Sequence, residues 1–139
     1  MKFQQFGNTY VVRLERGERV IETLTLFLKE EGITFSTLIA TGALSAATLG
    51  YYDLQKKEYI YLAIDEDVEV ASMTGNTAMR GQAPLIHAHA VLSKRDFQTV
   101  GGHVHEATVA ATLEVVFRAE EARVDRALDA DIGLPLMQL

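Results

Sequence analysis

Leu85-Ile86-His87-Ala88-His89-Ala90-Val91-Leu92-Ser93, Lys94-Arg95-Asp96-Phe97 and Gln98-Thr99-Val100-Gly101-Gly102-His103-Val104-His105 run consecutively. The two outer pieces alternate or are rich in β-branched residues, and the middle piece is polar. That pattern predicts two antiparallel strands joined by a short turn. It also holds all four histidines of the chain, in two His-x-His patterns. Residues at i and i+2 of a strand face the same way. Each pattern therefore aims two imidazoles in one direction.

Whether the two pairs meet depends on register. A regular turn sets Ser93 opposite Gln98, which places His89 opposite Gly102 and turns the two pairs to opposite faces. One additional residue sets His89 opposite His103 and His87 opposite His105, with opposed Cβ atoms roughly 4.5–5.5 Å apart. Bulges supply such a residue and favour glycine. A bulge or irregular turn is therefore expected between residues 94 and 102, with Gly101-Gly102 the natural place. Three imidazoles plus water suit zinc better than four imidazoles on two flat strands. The expected ligands are His87, His89 and His103, with His105 peripheral. Glu106 or Glu114 is the candidate carboxylate to orient a ring nitrogen.

Outward from this hairpin, Asn8 to Glu15 reads as a strand. Val20, Leu24, Phe27 and Leu28 form a helical apolar stripe that Gly32 ends. Residues 33–53 read as a strand, a kink at Gly42 and a second strand. Tyr59 to Ile64 makes a hairpin with it through Lys56-Lys57. Val68 to Met73 is a strand, and Ala78 to Ala83 a loop. In the apolar run Ala107 to Ala119, residues 113–117 read as strand and residues 107–110 as a short helix or bend. Glu120 to Ala130 reads as weakly helical, and Gly133-Leu134-Pro135-Leu136 as a docked segment. The expected architecture is one α+β domain over residues 1–139. It is a largely antiparallel sandwich or half-barrel of about seven to nine strands with one main helix packed on it.

Composition narrows function. No apolar run nears the roughly 18 residues of a membrane span, and the first residues lack the apolar core of a signal peptide. A cytoplasmic location is the expectation. Without cysteine there is no disulfide or thiolate site. A net charge of −6 does not draw the chain to a polyanion. The pairs Lys56-Lys57 and Lys94-Arg95 read as solvated turns. Asp65-Glu66-Asp67 lacks the spaced ligands of a calcium loop. No nucleophile elbow, P-loop or dinucleotide fingerprint is present. A cupin would place a glutamate soon after His89, and a TIM barrel needs a longer chain.

Several ordered motifs together resemble the PPC (plants and prokaryotes conserved) domain over essentially the whole chain. They are Gly42-Ala43-Leu44-Ser45 through Leu49-Gly50-Tyr51-Tyr52-Asp53, Met73-Thr74-Gly75-Asn76, Pro84 to Ala90, Gly101-Gly102-His103, Thr112-Leu113-Glu114-Val115 and Gly133-Leu134-Pro135-Leu136. The resemblance implies a homotrimer. It also implies a metal set on His87, His89 and His103 that leaves His105 outside. Prokaryotic members carry a predicted DNA-binding label, whereas plant members rely on a separate AT-hook. This sequence has no Arg-Gly-Arg-Pro hook, and Arg80-Gly81-Gln82-Ala83 is only its nearest string. Three readings follow: a trimeric metal-binding interaction or regulatory module, a small zinc-dependent enzyme or small-molecule binder with a site between subunits, and direct DNA binding. Apolar residues around Ala107 to Phe117 could serve the subunit interface or the core.

Overall fold

The computed structural model describes residues 1–139. In chain order the elements are β1 (Lys2–Phe6), β2 (Thr9–Glu15), α1 (Val20–Glu30), β3 (Ser36–Asp53), β4 (Glu58–Ile64), β5 (Val68–Arg80), β6 (Ala83–Ser93), β7 (Thr99–Ala119), β8 (Arg126–Leu128) and β9 (Pro135–Met137). Seven strands form one antiparallel sheet in the order β1-β2-β7-β6-β5-β3-β4, and β3 pairs with β7 as well. The expected half-barrel is thus completed by a closed circuit of pairing, β7–β6–β5–β3–β7. Strands β8 and β9 form a separate ribbon.

The core follows from strand alternation. Val12 and Leu14, Leu38 and Ala40, Ala88 and Ala90, and Leu113, Val115 and Phe117 point inward at every second position. Helix α1 covers this face with Val20, Leu24, Phe27 and Leu28. The Phe27 ring packs 5.8 Å from Phe117 and 5.7 Å from Tyr10. Twenty-seven buried apolar residues make a single cluster. The inward set of Ala107 to Phe117 belongs to this core, which settles its role within one chain.

No side chain at Arg19 caps the helix. The cap comes from across the sheet. Glu106 on β7 accepts the Ile21 N–H at 2.8 Å through Oε1 and the Glu22 N–H at 3.3 Å through Oε2. A carboxylate there also complements the helix dipole.

Several expectations are corrected. Strand β1 was not anticipated, and it pairs with β2 through the tight Gly7-Asn8 turn. Within residues 33–53, Ser36–Asp53 form one continuous strand. Its kink is a register shift between Ala40 and Gly42, where a Cβ on Gly42 would stand 2.2 Å from the Thr112 carbonyl oxygen. Strand β5 runs on to Arg80, so the expected 78–83 loop shrinks to a turn at Gly81-Gln82. Residues 107–110 are strand, because Ala107 and Val109 are both buried at period two. Glu120 to Ala130 contains no helix. It runs extended against β5 instead, through the Met79 N–H to Val124 carbonyl bond of 2.8 Å.

Candidate metal centre

Strands β6 and β7 pair with His89 opposite His103 and Ser93 opposite Thr99. This is the register that brings the histidine pairs to one face. Its additional residue does not lie at Gly101-Gly102, which remain in regular register. It lies in the turn, where Phe97 adopts a left-handed φ of 64°. The turn closes through the Phe97 N–H to the Lys94 carbonyl and the Lys94 N–H to the Gln98 carbonyl, both 2.9 Å.

The two glycines serve a different purpose. Strand β7 is squeezed here between β6 and β3. A Cβ on Gly102 would come within 2.9 Å of the Gly50 carbonyl oxygen, and one on Gly101 within 3.1 Å of that of Ala90. Gly50 in turn leaves room for the Tyr59 ring, which a Cβ would meet at 2.8 Å. The Tyr59 ring therefore lies across the sheet and ends 5.3 Å from the His103 ring.

His87, His89 and His103 converge. Their ring centroids are 5.2, 5.4 and 5.5 Å apart, and one ligating nitrogen from each lies within 4.8 Å of the other two. His87 and His103 are half-buried and His89 is exposed. Burial holds the His87 imidazole below its usual range, helped by the charges of Arg126 and His89. Burial also pushes His103 down to about 4, with the neighbouring His87, His89 and His105 adding to it. Both rings are therefore neutral near pH 7, with lone pairs free for a cation. His103 Nδ1 is buried and has no hydrogen-bond partner. An unpaired buried nitrogen is costly, and a bound cation would satisfy it. The donor set fits a divalent metal.

His105 does not join this group, nor does it oppose His87, because the β6–β7 pairing ends at His89 and His103. Against β3, Leu49 pairs with Val104 and Thr48 with Glu106, so His105 is the unpaired residue of a bulge. It is displaced toward Tyr61, 5.0 Å between rings. The same bulge changes the facing of the strand and delivers Glu106 to α1. Glu106 thus serves the helix and does not orient a histidine. Glu114 lies farther along β7, exposed, paired with Arg13 and Thr41. Neither expected carboxylate belongs to the site.

Two residues not expected in the site border it, Asn76 of the Met73-Thr74-Gly75-Asn76 motif and Arg126. Asn76 sits directly opposite His87 on β5. Arg126, at the start of β8, donates through Nη2 to Asn76 Oδ1 at 2.7 Å and through Nη1 to the Pro135 carbonyl at 3.0 Å. The segment that carries Arg126 is anchored again at the β3–β4 hairpin, where the Tyr52 hydroxyl donates to the Ile132 carbonyl at 2.8 Å.

Comparison with known proteins agrees with this geometry. The pattern of the Plants and Prokaryotes Conserved (PCC) domain matches residues 1–120. A metal-containing protein from Archaeoglobus fulgidus is 35% identical, with a TM-score of 0.88 and 100% of each chain covered. A candidate DNA-binding protein from Ralstonia eutropha is 30% identical, with a TM-score of 0.93, covering 99% of this chain and 96% of that one. A plant- and prokaryote-conserved protein from Pyrococcus horikoshii is 28% identical, with a TM-score of 0.89, covering 99% and 95%. No curated protein matches the chain. No helix is long and apolar enough to cross a membrane. Fold, motifs and matched length agree: the chain belongs to the Plants and Prokaryotes Conserved domain family.

Proposed function

We propose that the protein binds one divalent cation through His87, His89 and His103, and that an open coordination position receives a small ligand. The observation that carries this reading is the convergence of three imidazole nitrogens within 4.8 Å on a partly exposed face. Three imidazoles without thiolate or carboxylate suit zinc, with water or a ligand completing the shell. The similarity to a metal-containing relative supports the same reading. The open position favours a small-molecule site over a plain interaction module.

The working unit we propose is a homotrimer. The edge strand β4 exposes Ile60, Tyr61 and Leu62 together, a combination that a free edge normally avoids. Direct DNA binding, suggested by the description of one relative, has weaker support. The chain carries a net charge of −6, and phosphate contacts need a basic surface.

Metal analysis of the purified protein tests the site. Wild type and His105→Ala should each hold one cation per chain, and His87→Ala and His103→Ala should hold none. Full metal content in His103→Ala would overturn the assignment. Oligomer size on the same samples separates roles. Loss of metal with the trimer intact marks a functional centre, and loss of both marks a structural one.

A further inference from the structure

We propose that Arg126 makes the histidine face a receptor for a small oxyanion, held between the bound cation and the guanidinium. This rests on the metal reading above and adds the class of ligand to it.

Arg126 lies beyond the residues that the family pattern matches. Its hydrogen bond to Asn76, which opposes His87, brings it to the His87 end of the histidine row. The guanidinium is half-buried, yet its two hydrogen bonds go to neutral oxygens. Arg13, Arg19, Arg118 and Arg123 each have a carboxylate partner; Arg16, Arg80, Arg95 and Arg126 have none, and of these only Arg126 is half-buried. Nε is buried and makes no hydrogen bond. Two of its five N–H donors are used, so donors remain for a ligand.

Charge completes the argument. The candidate ligand group consists of histidines without any carboxylate, and neither hydrogen bond of Arg126 goes to one. A dication on three imidazoles beside such a guanidinium leaves strong local positive charge. Removing such charge from water without compensation is costly. An oxyanion offsets it at both poles, with one oxygen on the metal and another on the arginine fork. Carboxylates and phosphates share this chemistry.

The test uses the full chain, loaded with Co²⁺ as a visible reporter and titrated with oxalate, inorganic phosphate or neutral acetamide. Wild type should respond to an anion and not to acetamide, and the tighter of the two anions identifies the class. Arg126→Gln should keep one Co²⁺ per chain and bind that anion at least about tenfold more weakly. Equal affinity in Arg126→Gln at full metal content would overturn the proposal, as would no response to either anion. Because Arg126 also tethers the C-terminal ribbon, the Arg126 Nε–H resonance of wild type provides a second reading that needs no variant. It should shift on addition of the anion. If the protein takes up no Co²⁺, the metal reading fails by itself. The resonance in the metal-free chain then decides the arginine claim: a shift supports it, and no shift overturns it.

Discussion

His103 shows what the fold demands of one side chain. An imidazole in the unfolded chain protonates near its ordinary 6.5, whereas in the folded chain burial delays this to about 4. Between these values the unfolded state binds more protons. Stability of the metal-free protein is therefore full above pH 6.5 and declines as pH falls toward 4. Thermal melts of chelator-treated protein should show the midpoint falling between pH 7 and pH 4.5. His103→Gln, which cannot titrate, should make that slope shallower. An unchanged slope would mean that the ring is protonated as easily in the folded chain as in water. The same burial keeps the ring neutral and ready to ligate, so what destabilises the empty protein in acid prepares it for a metal at neutral pH.

At the scale of elements, the β6–β7 hairpin sets the histidine register through one residue. Phe97 holds a left-handed φ of 64° with its ring 86% exposed, so its side chain contributes little there. Phe97→Gly relieves the strain and keeps the register. We expect it to stabilise the protein by about 0.5–1 kcal/mol in urea unfolding, with metal content unchanged. A loss of stability would show that the ring packs in solution. The need for this additional residue was legible in the sequence, because the two histidine pairs converge only in that register. Its location was not. The Gly101-Gly102 pair drew the expectation because bulges favour glycine, yet that pair exists to let β7 pass close to Gly50 and Ala90. The carboxylates were misread for a related reason. Glu106 sits beside His105 in sequence, but the bulge at His105 sends it to a helix more than eighty residues earlier in the chain. Arg126 lay in a stretch that read as weakly helical, and only its contact with Asn76 reveals it.

At the scale of the whole molecule, the helix, the antiparallel sheet and the converging triad were all visible from periodicity and family motifs. The closed circuit of strands was not, because it depends on the first half of β3 pairing on both edges at once, with β5 and with β7. The same sheet leaves β4 as an apolar edge, with Ile60 52% and Leu62 49% exposed. If β4 makes the contact of the proposed trimer, Ile60→Asp should shift the assembly toward monomer in light scattering, and an assembly unaffected by that charge would rule out β4 as the contact. The long strand β7 has one more consequence. It is the partner of β2, of β6 and of most of β3. A ribosome delivers about 5–20 residues per second. For seconds after β3 emerges, one of its edges and one edge of β2 have nothing to pair with. Those edges stay unpaired until β7 is made, which leaves them open to edge-to-edge association with other chains during synthesis.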